Sequence, residues 1–134
     1  MKKSLILSLI TLIIVLLLSH CTRREGDWDD IIQLSTKTAE FNAIGDSVII
    51  TTNGNWWWIN GISLDDSVRL NFEGVNVLSD QYKIDGDSYV VERRDPNTLF
   101  IKLDANPKKT LRILKIFLEA GDYFDAVTIT QKFQ

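Results

Sequence analysis

Hydrophobic and polar residues alternate over short stretches of this chain, which is typical of β-strands. The clearest alternation occurs in residues 99–103, 111–119 and 123–131. A period of two places every second residue on the same face of a sheet. The apolar residues expected to face a common core are Leu99, Ile101 and Leu103, then Leu114, Ile116 and Leu118, and finally Val127 and Ile129.

The largest apolar side chains are concentrated around three consecutive tryptophans. A β-branched run at residues 48–52 stops at Asn53-Gly54-Asn55 and is followed by Trp56, Trp57 and Trp58. Asn-Gly between such runs is a strong hairpin signal, so the pattern predicts two antiparallel strands joined by a tight turn. Alternation then sends Trp56 and Trp58 to one face of the strand and Trp57 to the other.

Turn-forming residues separate the alternating stretches. Turns are predicted at Asp85-Gly86-Asp87, Asp95-Pro96-Asn97 and Ala120-Gly121-Asp122, a first short strand at residues 31–35, and a long loop at residues 74–83. No interior stretch has a sustained helical period. Short strands with turn residues every 8–12 positions, roughly, predict an all-β fold. The expected architecture is an immunoglobulin-like antiparallel β-sandwich of about seven to nine strands.

The N-terminus has the features of an export signal. Lys2-Lys3 precedes an uncharged apolar run at residues 5–18, which is shorter than the roughly 20 residues of a membrane-spanning helix. We therefore predict a helical signal peptide at residues 1–20, with an uncleaved N-terminal helix as the alternative. Cys21 directly follows and resembles the acylated cysteine of a bacterial lipoprotein, although His20 stands where such proteins usually have a small residue. Acylation of Cys21 would anchor the protein in the membrane, and the outer membrane is the expected location.

Residues 21–30 are charged and short of apolar residues, so they are predicted to form an acidic tether before a domain at residues 31–134. The acidic residues after Cys21 also resemble the surface-export signal of Bacteroidetes lipoproteins. Trp28 is expected to make the first packing contact of the domain. The net charge is −3, from 15 basic and 18 acidic residues. Cleavage of the leader would remove two basic residues and make the net charge −5. This balance argues against nucleic acid as a partner.

The sequence does not favour catalysis. The single histidine, His20, lies in the predicted signal, and acylation would consume Cys21, the single cysteine. Asp65-Asp66 and Asp85-Gly86-Asp87 are interpreted as turns, because Asp and Gly favour turns. Asp85-Gly86-Asp87 also lacks the further oxygen ligands of a calcium loop. We therefore predict a protein that is not an enzyme and has neither a cofactor nor a metal site.

Residues spread over most of the predicted domain resemble the BACON family (Bacteroidetes-associated carbohydrate-binding, often N-terminal). The matching positions are Phe41, Gly45, Asn53-Gly54 and Trp56 in the first half, then Asn106, Arg112, Gly121 and the closing Val127-Thr128-Ile129-Thr130-Gln131. The tryptophan triplet and the longer segment at residues 62–87 depart from the family pattern. The resemblance implies an immunoglobulin-like sandwich without catalysis, and a role in binding glycans or mucin.

Two functions follow as hypotheses. In the first, exposed aromatic side chains bind glycans, with Trp56, Trp57 and Trp58 as candidates and Tyr123, next to Phe124, in a second and smaller site. The competing structural interpretation places at least one of these tryptophans in the core and covers the others with residues 62–87. In the second hypothesis, the anchored domain is a spacer or a protein–protein interaction module with a partner in the cell envelope.

Overall fold

The computed structural model describes residues 29–134, in which nine β-strands form two sheets. The strands are β1 (Thr38–Phe41), β2 (Gly45–Thr51), β3 (Trp58–Leu64), β4 (Ser67–Arg69), β5 (Tyr82–Asp85), β6 (Tyr89–Asp95), β7 (Thr98–Asp104), β8 (Arg112–Ala120) and β9 (Tyr123–Gln131). The predicted signal peptide at residues 1–20, Cys21 and Trp28 lie outside the described residues. Between residues 29 and 134 no helix has the length and apolar character needed to cross a membrane.

The two sheets have different sizes. The larger sheet has five strands in the order β1-β9-β8-β3-β4, and the smaller sheet has four in the order β2-β7-β6-β5. Neighbouring strands are antiparallel except for β1, which pairs in parallel with β9. The predicted all-β sandwich is therefore confirmed, and its nine strands lie within the expected number.

The core lies between the sheets and is filled by the residues that the alternation identified. Each of the eight apolar residues expected to face inward from β7, β8 and β9 is fully buried. Ile32 and Ile50, from the N-terminal part of the described chain, belong to the same cluster. Side chains at every second position of a strand share one face, so burial of one face is enough to fix the register of each strand.

The hairpin predicted around Asn53-Gly54 is wrong. β2 belongs to the smaller sheet and β3 to the larger one, so residues 52–57 cross from one sheet to the other. We call residues 52–57 the crossing segment.

Side chains from other strands satisfy the backbone of the crossing segment. The amide of Asn97 donates to the carbonyls of Thr52 (3.0 Å) and Gly54 (3.1 Å). Glycine is needed at position 54 because a Cβ there would collide with the carbonyl oxygen of Ile31. Asn-Gly therefore marks a close approach of two backbone segments at this position, and not a two-residue turn.

The other turn predictions agree with the structure, whereas one strand prediction does not. The three predicted turns at residues 85–87, 95–97 and 120–122 each connect two adjacent antiparallel strands. Residues 31–35 do not form the predicted strand, since Leu34 makes only an isolated bridge to Thr52. The predicted long loop ends in the short strand β5.

The two ends of the sandwich are built differently. One end, which we call the hairpin end, contains the β8–β9 turn, the β6–β7 turn and the crossing segment. At the opposite end, buried polar side chains bind backbone carbonyls. Arg112 donates to the side-chain oxygen of Gln131 (3.2 Å), and Gln131 donates to the carbonyl of Asp104 (2.9 Å). Asn106 donates to the carbonyls of Thr110 and Lys132. Three residues that carry the BACON resemblance thus stabilise the fold at this end.

Candidate functional site

Trp57 lies in the interior of the sandwich. Only 1% of its surface is exposed, and its indole N–H donates to Thr52 Oγ1 at 3.0 Å. The guanidinium carbon of Arg93 lies 4.3 Å from the centroid of the indole, a cation–π geometry. Trp57 is therefore the core tryptophan of the sandwich, and its ring is not accessible to a ligand in solvent.

Arg93 fixes the crossing segment from within the core. Its Nη2 donates to the carbonyl of Asn55 at 2.7 Å and to that of Pro96 at 3.2 Å. Burial lowers the pKa of Arg93 from its ordinary value, which reflects the cost of placing a cation in this environment. Because Asn55 directly precedes Trp56, this contact sets the position from which the Trp56 side chain leaves the backbone.

Trp56 and Trp58 share a face, as the alternation predicted, and that face is the outer side of the larger sheet. Their ring centroids are 5.8 Å apart with an interplanar angle of 75°, an edge-to-face arrangement. Trp56 is 68% exposed and Trp58 is half-buried. The Trp56 ring rests on the β8–β9 turn at Gly121, where an added Cβ would lie 3.3 Å from Cζ3 of the indole. Gly121 also has a positive φ of 61°, a conformation that favours glycine.

Phe124 joins the two tryptophans on the same face. Trp58 pairs with Glu119 across β3 and β8, and Glu119 pairs with Phe124 across β8 and β9. Residues directly opposite one another in a sheet point to the same side, so Phe124 lies in register with Trp58. Its side chain is 62% exposed. We call Trp56, Trp58 and Phe124 the aromatic platform.

Tyr123, the second candidate from the sequence, lies on the other face of β9 and does not join the platform. It packs against the core cluster, and its hydroxyl donates to Asp125 Oδ2 at 3.3 Å. Burial, together with the neighbouring charges of Asp125 and Asp30, raises the pKa of Tyr123 to about 12. Lys37 Nζ lies 2.8 Å from the same oxygen of Asp125. Tyr123 is therefore part of a polar cluster close to the point where the described chain begins.

The sequence indicates Phe124 only as the neighbour of Tyr123 at a hairpin tip, and not as a partner of the tryptophans. Alternation within β9 separates Phe124 from the inward-facing Val127, and this could have identified it as outward-facing. The order of the strands was still needed to place it beside Trp58.

Further apolar side chains extend from the platform over the outer side of the larger sheet. Leu70 and Phe117 pack over Gly61, where an added Cβ would lie 2.8 Å and 3.3 Å from their respective Cδ2 atoms. Leu70 and Val68 are largely exposed. A small recess of about 160 Å³ separates Trp58 from the loop after β4, with Val75 and Val77 among its walls. The segment at residues 62–87 thus borders Trp58 and leaves Trp56 uncovered.

The paired carboxylates noted in the sequence have structural partners. Asp65 accepts hydrogen bonds from Lys108 Nζ (2.7 Å) and from the backbone N–H of Ile113 (2.8 Å). Asp65 and Asp66 both have positive φ and form the turn between β3 and β4. Over residues 29–134, no group of three or more His, Cys, Asp or Glu side chains is arranged to hold a metal ion.

Comparison with known proteins gives a likeness of fold. No protein-family model and no curated protein matches this chain. The NMR structure of a protein from Bacteroides thetaiotaomicron is similar, with a TM-score of 0.64 and 20% identity over 82% of this chain and 93% of that one. A Bacteroides ovatus GH5 xyloglucanase, solved in complex with a XXXG heptasaccharide, has a TM-score of 0.48 and 16% identity, and the match covers 77% of this chain and 19% of the xyloglucanase. At these identities the first likeness shows a shared fold, and neither indicates a function.

Proposed function

We propose that this protein is a non-catalytic lipoprotein of the cell surface that binds glycans through the aromatic platform. The observation that supports this most directly is the exposure of Trp56, 68% of whose surface is accessible, beside the half-buried Trp58. Sugar rings have apolar C–H faces that stack on aromatic planes, so a pair of accessible indoles provides a suitable surface.

The platform is held in place before any ligand arrives. Arg93 fixes the backbone before Trp56, and the ring of Trp56 lies against both Trp58 and the turn at Gly121. A side chain restrained in this way loses little conformational freedom on binding, which favours affinity. The exposure of Trp56 therefore belongs to a fixed surface.

Polar groups border the platform at positions suited to sugar hydroxyls. Asn55 and Asn60 are exposed next to the two tryptophans in the chain, and Glu119 lies between Trp58 and Phe124 in the sheet. Amide and carboxylate groups supply both donors and acceptors. A saccharide stacked on the platform would thus have hydrogen-bonding partners at its edges.

Acylation of Cys21 would hold this domain at the outer membrane, with the platform available at the cell surface. The resemblance to the BACON family supports glycan or mucin as the ligand class.

The test is binding of the domain without its leader to a glycan array that includes mucin oligosaccharides. For the glycans that bind, Trp56→Ala is expected to weaken the affinity about 30-fold or more, because truncating an anchoring aromatic residue costs about 2 kcal/mol or more. Ile44→Ala and Ile49→Ala are matched controls, since both remove an exposed apolar side chain away from the platform. Equal losses in these controls, or an array without any binding, would contradict the proposal.

A second function is favoured by the apolar surface beyond the platform. Val68 and Leu70 are exposed on the same side of the larger sheet as the platform, where Leu70 packs over Gly61 beside Phe117. Ile113 is exposed on that side beyond Lys115. Contiguous exposed apolar surface is typical of protein interfaces. An envelope protein that binds the wild type and loses affinity with Leu70→Ser, while the glycan array stays blank, would favour an interaction module.

A further inference from the structure

We infer that the aromatic platform lies at the membrane-proximal end of the anchored domain, so that its ligands are the saccharide head groups of glycolipids in that same membrane. This inference rests on the proposed function and names the source of its ligand. It follows from where the described chain begins, from the contacts that hold that point, and from the number of residues between Cys21 and the domain.

The chain enters the domain beside the crossing segment. Asp30 Oδ1 accepts hydrogen bonds from the backbone N–H groups of Ile32 (3.1 Å) and Gln33 (2.7 Å). Gly54 N–H in turn donates to the carbonyl of Ile32 at 3.1 Å, and Asn53 N–H donates to that of Gln33 at 3.3 Å. The first described residues are therefore bonded to backbone that lies only two residues before Trp56.

Contacts with β9 hold the same entry point from its other side. Lys37 Nζ lies 3.6 Å from Asp30 Oδ2 and 2.8 Å from Asp125 Oδ2, and Tyr123 donates to that same Asp125 oxygen at 3.3 Å. Tyr123 begins β9 next to the turn that supports Trp56. The entry point is thus fixed to the hairpin end, where the platform also lies.

The distance to the membrane is limited by the number of intervening residues. Eight peptide units separate Cys21 from Asp29, and a chain advances at most about 3.3–3.6 Å per residue, so they span no more than about 29 Å in any conformation. The eight steps along the nine residues of β9 rise about 27 Å from one end of the sandwich to the other. An anchor at Cys21 therefore holds the hairpin end within about one sandwich length of the lipid surface, whereas the opposite end can lie about twice as far away.

A platform in this position meets the carbohydrate layer of its own membrane. Saccharides attached to lipid head groups occupy the first tens of ångströms outside the bilayer, which is the zone that the tether length allows. Their attachment to the same surface raises their effective concentration at the platform, as for any second interaction within one assembly.

Energy transfer can test the orientation without any glycan. In the full lipidated protein, in which Cys21 is acylated, Asp122→Cys and Lys109→Cys each supply one exposed thiol, at the hairpin end and at the opposite end respectively. Each variant is labelled with a donor dye and placed in phosphatidylcholine vesicles that contain acceptor-labelled lipid. We expect higher transfer from position 122 than from position 109. Equal or reversed efficiencies would overturn the inference.

A tether variant is the control for this measurement. Inserting a Gly/Ser linker of about 20 residues between Arg24 and Glu25 should reduce the difference between the two positions, because such a chain has an r.m.s. length of about 25 Å, close to the length of the sandwich. A difference that is unchanged by the insertion would also overturn the inference, since the tether would then not be its cause.

The ligand part is tested in vesicles of phosphatidylcholine with and without lipopolysaccharide. Lipopolysaccharide in the same vesicle should shift the tryptophan emission of the wild type and not that of Trp56→Ala. If the free oligosaccharide shifts the emission in solution but lipopolysaccharide in the vesicle does not, the inference fails while the proposed function stands. If neither form shifts the emission, the assignment of the ligand fails, while the glycan array decides the proposed function and energy transfer decides the orientation separately.

Discussion

The outer sides of the two sheets differ in how far their aromatic side chains are exposed to solvent. On the smaller sheet, Phe100 lies beneath Arg94, whose guanidinium carbon is 3.7 Å from the ring centroid. On the larger sheet, Trp56 and Phe124 lie open to solvent. The same sheet carries the ion-paired side chains Lys83, Asp85, Glu92, Lys102 and Asp104, and the exposed apolar neighbour of Phe100 across β2 and β7 is the aliphatic Ile49.

This difference shows on which side of the sandwich aromatic side chains are accessible to solvent. Large aromatic side chains on the outside of a sandwich favour association, so a protein that covers them on one side and exposes them on the other has one surface suited to binding. The covered side also shows that this fold can accommodate an outward-facing aromatic residue without exposing it. The exposure of the platform is therefore a property of its own sequence positions, and not a necessity of the fold.

The largest expected effect concerns Trp57, which lies between the two platform tryptophans in the chain but belongs to the core. Trp57→Ala should lower the free energy of unfolding by about 3–5 kcal/mol, because it leaves a cavity and removes the partner of the buried Arg93. Urea denaturation followed by circular dichroism measures this loss.

Trp56→Ala is the matched control for Trp57→Ala. It removes the same side chain from the surface and should change the free energy of unfolding by less than about 1 kcal/mol. Similar losses in the two variants would break the distinction between core and platform.

A smaller effect is expected on the charged side of the molecule. Arg94→Ala should uncover Phe100 and lower the free energy of unfolding by about 0.5–1 kcal/mol, the value of an exposed cation–π contact. The variant should also bind more of a hydrophobic dye than the wild type does. Lys102→Ala, which removes a nearby exposed ion pair to Asp104, should do neither. Unchanged dye binding in Arg94→Ala would mean that the arginine is not what distinguishes this side from the platform.

The smallest effect is a pH dependence at the entry point beside the platform. The hydrogen bond from Gln33 N–H is the main cause that lowers the pKa of Asp30 below its ordinary value. The stabilisation by this carboxylate is therefore present above about pH 4, the pKa of an unfolded chain, and is lost as the pH falls through the lower pKa of the folded state. Because the side chain is 38% exposed, the effect is small.

Asp30→Asn keeps an acceptor oxygen and removes the charge. Its unfolding transition should come at a lower urea concentration than that of the wild type at pH 7, and the two should converge near pH 2, roughly, where both side chains are neutral. Asp29→Asn is the control for a charge change at the neighbouring position and should leave the transition unchanged. A constant difference at all pH values would contradict the role of the ionised carboxylate.

Alternation alone was sufficient to predict the inward-facing residues of β7, β8 and β9, because burial of one face imposes a period of two on any strand. It also separated Trp57 from Trp56 and Trp58. These predictions depend on neighbours within one strand, and the same sequence would give them in any sandwich.

The pairing of strands could not be predicted in the same way. Asn53-Gly54 has the residues of a tight turn, yet the carbonyl of Ile31, 23 positions earlier, occupies the space that a side chain at residue 54 would need. Alternation within β9 assigns Phe124 to the outer face, but its position beside Trp58 depends on the alignment of β3 with β8 and of β8 with β9. Both outcomes are set by contacts between distant parts of the chain, which local residue preferences do not contain.

The parallel pairing of β1 with β9 has a mechanical consequence. Both strands run away from the hairpin end, so traction on an anchored N-terminus that is resisted at the C-terminus would slide β1 lengthwise along β9. In that geometry the hydrogen bonds between the two strands share the load and must break together, whereas a strand that is pulled sideways loses them one after another. If the N-terminus is anchored as proposed, force on it would load the β1–β9 pair in shear, the direction in which paired strands resist separation most.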